Sequence, residues 1–250
     1  MPLKDQVILI TGAGGGLGGT AALALAKQGA HIILLDKSIP KLEKIYDAII
    51  EADAPKPTLY PFDLAGASEV QYEELAVTIK DTYGSLQGLL HSAVELSAYT
   101  PIEIHETKDW GHALNVNLNA PFILTRVLLP VMHKSPHASI VFTSDSIARK
   151  PQAYSGAYGV SKIALEGFAK ILAEELEASQ KIRVNTLVPG AVDSPLRKKL
   201  FPAEDKSKLP AMDSLNKIYT YLFGSESIGV TGQTIDAQTY KPNKSADQLA

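Results

Sequence analysis

The chain has 250 residues, of which 45% are hydrophobic and 20% charged, and its formal net charge is −3. The balance of 24 basic and 27 acidic residues argues against a basic nucleic-acid-binding protein, and the lack of cysteine excludes a disulfide framework, a thiolate nucleophile and a cysteine-ligated zinc site. No apolar run approaches the roughly 20 residues of a membrane span, and Met1-Pro2-Leu3-Lys4-Asp5 leads straight into a strand-like segment with no room for a signal peptide, so a cytoplasmic chain without a membrane partner is expected.

The predicted strands are short runs rich in Val, Ile and Leu: Val7–Thr11, His31–Leu35, Thr58–Phe62, Leu86–Ala93, Ser139–Ser144, Ile182–Val188 and Gln233–Ile235. Most are apolar on successive residues, as strands buried on both faces are. Between them the helical period runs through Leu17–Gln28, Pro40–Ala52, Ser68–Tyr83, Lys108–His133 and Ser155–Ser179. Gly29 suits a left-handed stop to the first helix, and Ser68 with Gln71 resembles a capping box. This alternation predicts an α/β fold, a doubly wound parallel sheet with helices on both faces, in one domain spanning residues 1–250. Residues 194–210 read as an excursion on the substrate side, and residues 240–250 as a polar tail.

Thr11-Gly12-Ala13-Gly14-Gly15-Gly16-Leu17-Gly18-Gly19 joins the first strand to the first helix. A flexible loop would satisfy the composition alone. Between a strand and a helix, however, Gly12, Gly14, Gly15, Gly16, Leu17 and Gly18 stand where a dinucleotide's pyrophosphate meets backbone N–H groups and a helix dipole. Asp36 follows the next strand, which ends at Leu35. It is either a turn or capping residue, or a carboxylate that accepts both adenosine ribose hydroxyls and repels a 2′-phosphate, which favours NAD. Lys37 beside it would admit NADP.

Tyr158 and Lys162 lie four apart on one predicted helix face, where an ammonium can lower a phenol's pKa for proton exchange with an alcohol or carbonyl. The spacing recurs in Tyr240 and Lys244, but Pro242 between them prevents a shared helix face.

With these features in order, the chain resembles the classical short-chain dehydrogenase/reductase (SDR) family over nearly its whole length. The quoted matches are Thr11-Gly12-x-x-x-Gly16-x-Gly18, Asp63-Leu64, Asn117 in Asn117-Leu118-Asn119-Ala120, Tyr158-Gly-Val-Ser-Lys162, and Asn185 with Pro189-Gly190. The segments Phe201–Asp205 and Thr231-Gly232…Asp236-Ala237-Gln238 are similar to a narrower bacterial subgroup of SDR oxidoreductases. The resemblance implies a Rossmann-type sheet of seven parallel strands and hydride transfer between nicotinamide and a carbonyl or secondary alcohol. It implies Tyr158 as general acid/base, Lys162 as its partner and holder of the nicotinamide ribose, and Asn117 as the residue that positions a proton-relay water. Asp63, Leu64, Ser92, Ala93, Val94, Pro189, Gly190 and Val192 would contact the cofactor. The resemblance also implies a homodimer or homotetramer.

The sequence departs from the family at two places. Asp145, thirteen residues before Tyr158, stands where a serine usually donates to the substrate oxygen. An ionised carboxylate only accepts, and it raises the pKa of a neighbouring phenol. Either Asp145 is protonated and donates, or Ser144 or Ser146 takes over, or the site is weak or specialised for an unusual substrate. Ser92 and Val94 replace the Asn and Gly of a common Asn-Asn-Ala-Gly, which removes a bracing amide and adds a side chain near the cofactor. The alternative to an enzyme is a catalytically weakened dinucleotide-binding protein with a sensing or scaffold role. Retention of Asn117, Tyr158 and Lys162 favours catalysis, since a fold needs none of them. The six histidines form no paired zinc motif, so no metal is expected. Arg197-Lys198-Lys199 reads as a solvated face or as a greeting for an acidic substrate.

Overall fold

A computed structural model describes residues 1–96 and 98–240. Residues 241–250, including most of the expected polar tail and Lys244, lie outside the described residues. Seven parallel strands form one sheet: β1 (Val7–Thr11), β2 (His31–Asp36), β3 (Thr58–Pro61), β4 (Gly88–His91), β5 (Ala138–Thr143), β6 (Ile182–Val188) and β7 (Thr234–Asp236). Their order is β3-β2-β1-β4-β5-β6-β7. The near-continuous apolar strands follow from burial on both faces. Ile8, Ile10, Ile32 and Leu34 pack into one core, while Leu9, Ile33 and Leu35 pack into the other.

The first face is covered by α1 (Gly16–Lys27), α2 (Ile39–Glu51) and, late in the chain, α8 (Asn216–Phe223); the second is covered by α3 (Glu69–Tyr83), α5 (Ala120–Met132) and α6 (Gly156–Glu177). The capping box of α3 is present, with Ser68 Oγ accepting from the Gln71 N–H and Gln71 Oε1 accepting from the Ser68 N–H at 2.9 Å. Gly29 takes φ +97°, the left-handed stop expected after α1.

The predicted helix over 108–133 is subdivided. It comprises α4 (Thr107–Leu114), a π-helical turn over Asn115–Asn119, and α5. Periodicity cannot reveal such a turn, because one extra residue per turn shifts the register without changing composition. By length and composition this 26-residue rod, Thr107–Met132, is long and apolar enough to cross a membrane, contrary to the sequence expectation. Its apolarity has another use here, since Leu124, Leu128, Val131 and Met132 fill the second core. Two helices also went unread: α7 (Pro195–Leu200), inside the predicted excursion, and α8, whose Tyr219 and Leu222 are fully buried.

The chain crosses from the β3 edge back to β4 beside β1, so connections diverge between β1 and β4. Open α/β sheets place ligands outside the carboxyl ends of strands at such a switch point. The segments after β1, β2, β3, β4, β5 and β6 all meet there around one cavity of about 760 Å³.

Candidate active site

The glycine loop supplies one end of the cavity. Gly12 has φ +67°, and a Cβ there would lie 2.7 Å from the Ala93 backbone; one at Gly18 would lie 2.3 Å from the Gly12 carbonyl oxygen. Neither position admits a side chain. A Cβ at Gly15, the N-cap of α1, would meet nothing within 4 Å. The loop therefore presses backbone against backbone on one side and leaves open space beside a helix N-terminus on the other. That cradle fits the pyrophosphate of a dinucleotide. Gly16, Leu17 and Gly18 line the cavity with Gly12 and Gly15, whereas Gly14 stands behind it and donates its N–H to Asp36 Oδ2 at 3.2 Å. Asp36 Oδ1 accepts from the Ser38 N–H at 3.0 Å, so both carboxylate oxygens already brace the loops. Lys37 lines the cavity here, and so does Lys41 on α2. Lys41 was missed in the sequence, although its place four residues past Lys37 was a usable signal.

Asp63 and Leu64, after β3, lie on the same wall. Asp63 Oδ1 accepts from the Ala65 N–H at 3.1 Å, and the Leu64 carbonyl accepts from the Tyr72 hydroxyl at 2.8 Å. After β4, Ser92, Ala93 and Val94 line the cavity, with Val94 37% exposed. The Ser92 and Ala93 N–H groups both donate to Thr11 Oγ1 at 3.1 Å, and that hydroxyl donates to the Leu90 carbonyl. Thr11 thus ties β1 to β4 where Ser92 lacks an amide. Opposite stand Pro189, Gly190 and Val192. Gly190 has φ +74°, and a Cβ would meet Gln238 Cγ at 2.5 Å. Gln238 Nε2 donates to the Pro189 carbonyl at 2.8 Å, locking this wall to the segment after β7.

At the other end, the first two turns of α6 bring Tyr158 and Lys162 to the cavity wall, 5% and 3% exposed. Lys162 Nζ lies 5.7 Å from the Tyr158 ring centroid and donates to the Thr143 carbonyl at 2.8 Å. Burial draws the Lys162 ammonium down to about 8, although the Asp145 and Glu166 carboxylates oppose it. Asn117 is buried in the π-helical turn behind the cavity. Its side chain exchanges two 2.8 Å hydrogen bonds with the Glu95 backbone and donates to Ser161 Oγ at 3.2 Å.

Asp145 follows β5 without a register shift. The Tyr158 hydroxyl donates to Asp145 Oδ2 at 2.7 Å, and Asp145 Oδ1 accepts from the Ile147 N–H at 3.0 Å and the Ser146 hydroxyl at 3.2 Å. The Ser144 hydroxyl turns away and donates to the buried Glu166 at 2.7 Å. Neither neighbouring serine offers a free hydroxyl in place of the one Asp145 lacks. Burial, then the Asp145 charge and its hydrogen bond, push the Tyr158 phenol far above its ordinary range.

Residues 194–201 cover this end of the cavity. Ser194 Oγ accepts from the Arg197 N–H at 3.2 Å and starts α7. Arg197 holds Glu204 in a two-point fork at 2.6 Å, Lys198 pairs with Asp193 at 2.9 Å, and Lys199 Nζ donates to the Leu96 carbonyl at 3.4 Å. This basic run is engaged within the fold, which removes the argument that it greets an acidic substrate.

A short chain dehydrogenase family model matches residues 6–205, from β1 through the Tyr158–Lys162 pair. The chain belongs to the short-chain dehydrogenase family. As an SDR it is 38% identical to the uncharacterized oxidoreductase YciK of Escherichia coli K12, over 94% of this chain and 93% of the relative. It is 29% identical to the 3-oxoacyl-[acyl-carrier-protein] reductase FabG of Thermotoga maritima, over 94% and 97%. A short chain dehydrogenase structure from Shigella flexneri, complexed with NADP, shares 38% identity and a TM-score of 0.91, covering 95% of this chain and 98% of that one. One from Escherichia coli CFT073, complexed with NADPH, gives the same figures. The SDR is thus an oxidoreductase of small molecules with a Rossmann-type fold. The residues at the site that sequence reading missed in it are Lys41, Glu95 and Glu166; the last two are found only through a partner distant in sequence.

Proposed function

We propose that this SDR is an NADP(H)-dependent reductase that delivers hydride to a polarised double bond of a small molecule, with a carbonyl as the ordinary case and Tyr158 as the proton donor. The observation that carries the reading is the single cavity shared by the glycine cradle and the buried Tyr158–Lys162 pair. The expectation of NAD rested on Asp36. Two features favour the phosphorylated cofactor instead: Lys37 and Lys41 flank that carboxylate, and both oxygens of Asp36 are engaged by backbone N–H groups. The solved relatives holding NADP and NADPH support the same choice.

NADP(H), when bound, supplies hydride from its nicotinamide ring. Gly12, Gly15, Gly16, Leu17 and Gly18 would hold the pyrophosphate, Lys37 and Lys41 the 2′-phosphate, Asp63 and Leu64 the adenine, and Ser92, Ala93, Val94, Pro189, Gly190 and Val192 the nicotinamide half. Tyr158 keeps its proton at neutral pH, because burial and Asp145 disfavour the phenolate. A protonated phenol is the form that can donate in reduction, whereas alcohol oxidation needs the phenolate that burial and Asp145 disfavour. Lys162 contributes an ammonium beside the phenol, and Asn117 fixes the Glu95 backbone at the cavity's inner wall.

We read Phe122, Val160, Ile163 and Ile171, exposed on α5 and α6, as a homodimer face. Fluorescence titration tests the cofactor assignment. NADPH saturates the wild-type protein, and replacing Lys37 and Lys41 together by Ala weakens NADPH about tenfold or more while leaving NADH unchanged. Absence of saturation at millimolar NADPH defeats the reading.

A further inference from the structure

The serine that would donate to a substrate oxygen is replaced by a fixed acceptor, and this points to a different reacting atom. Asp145 lines the cavity; its Oδ1 is pinned by the Ile147 N–H and the Ser146 hydroxyl, while Oδ2 accepts from the Tyr158 hydroxyl at 2.7 Å. Ser144, committed to Glu166, supplies no substitute donor. A carboxylate beside a carbonyl oxygen opposes the negative charge that develops during reduction. Beside a protonated nitrogen the same carboxylate is a counterion and accepts its N–H.

Lys162 sets one ammonium beside the phenol, held on the Thr143 carbonyl, and the other cations of this wall are engaged as well. Arg197, the guanidinium on this wall, is forked to Glu204, and Lys199 is held on the Leu96 carbonyl. Tyr99 and Phe201 meet edge to face at 6.4 Å on the cavity lining; Arg197 already lies over the Phe201 ring at 4.8 Å, so Tyr99 is the aromatic group here that can attract an ammonium. From this arrangement we infer that the preferred substrate is an imine bound as its protonated iminium, with Asp145 as the residue that selects it.

This inference rests on the reductase reading of the same site. In the step, the iminium carbon takes the hydride and a C–H bond forms. The C=N π pair becomes the nitrogen lone pair, and the nicotinamide is left oxidised by two electrons. The neutral amine then takes a proton from solvent, relayed through the partly exposed Asp145, and Tyr158 keeps its own.

Matched probes test it: 2-methyl-1-pyrroline against cyclopentanone for turnover with NADPH, and pyrrolidine against cyclopentanol for calorimetric binding. The variants are Asp145→Ser and the isosteric, uncharged Asp145→Asn. The expected results are a wild-type kcat/KM at least tenfold higher for the imine, and tenfold tighter binding of pyrrolidine than of cyclopentanol. Both variants lose the pyrrolidine advantage, and Asp145→Ser reverses the turnover preference by lowering imine reduction and raising ketone reduction. A wild-type preference for the ketone, equal changes for both probes, or pyrrolidine binding insensitive to either variant overturns the inference while the reductase reading survives on NADPH binding and ketone turnover. Failure to bind NADPH overturns both.

Discussion

The two ends of the cavity are built from different materials. At the cofactor end the working surface is backbone: glycines whose missing Cβ atoms let strand, loop and helix touch, with Thr11 sewing β1 to β4. At the reaction end it is a chain of side chains, Tyr158 to Asp145 and Lys162 to the Thr143 carbonyl, with Ser144 turned back to Glu166. A backbone surface tolerates almost no substitution but imposes little chemistry. A side-chain network can be altered at one position, and Asp145, bonded to the Tyr158 hydroxyl, is where an alteration reaches the phenol most directly.

Substitutions at each end should separate these roles. The largest effect is expected from Tyr158→Phe, which removes only the hydroxyl that donates to Asp145. Steady-state turnover should fall about 10²–10⁴-fold, the usual range for a lost general acid, with NADPH affinity retained. Equal loss of both would mean that the phenol serves binding. At the cofactor end, Gly18→Ala forces a Cβ to 2.3 Å from the Gly12 carbonyl oxygen. Denaturant unfolding should show a cost of about 1–3 kcal/mol, and NADPH binding should weaken with it.

Lys162 joins function to stability. Its folded pKa near 8 lies below the ordinary 10.5, so between those values the unfolded chain binds more protons than the folded one. Stability contributed through this residue therefore rises with pH across that window, by up to about 1.4 kcal/mol per unit, and is lowest below pH 8, where the buried ammonium is charged. Melting curves of the wild type and Lys162→Met should diverge in slope between pH 8 and 10, and parallel curves would contradict the assignment. The smallest effect belongs to Gly15→Ala, whose Cβ meets nothing within 4 Å. Unfolding should change by no more than about 0.5 kcal/mol, leaving any cost in NADPH affinity. The contrast with Gly18 would then divide the loop into glycines required by the fold and one that clears space for the ligand.

Much of the scaffold was legible because it is local. β1 and β6 match their predicted bounds, the α3 capping box lies within four residues, and Gly29 marks its own turn. The π-helical turn around Asn117 was not legible, since a 3.6-residue pattern and a locally wider one have the same composition. Helix α8 escaped for a related reason. Its eight residues are apolar on most sides, because they are buried between the sheet and α1.

The chain by itself determined the doubly wound alternation of strands and helices, the glycine cradle and the pairing of Tyr158 with Lys162, because periodicity, turn chemistry and helical spacing act over a few residues. Only the tertiary structure decided where Asp145 aims, that Ser144 belongs to Glu166, that Lys41 joins Lys37 on the cavity wall, and that Arg197 is taken by Glu204. Most of these depend on which groups meet across the fold, and hydrogen bonds and ion pairs depend on angstrom-scale distances that no one-dimensional pattern encodes.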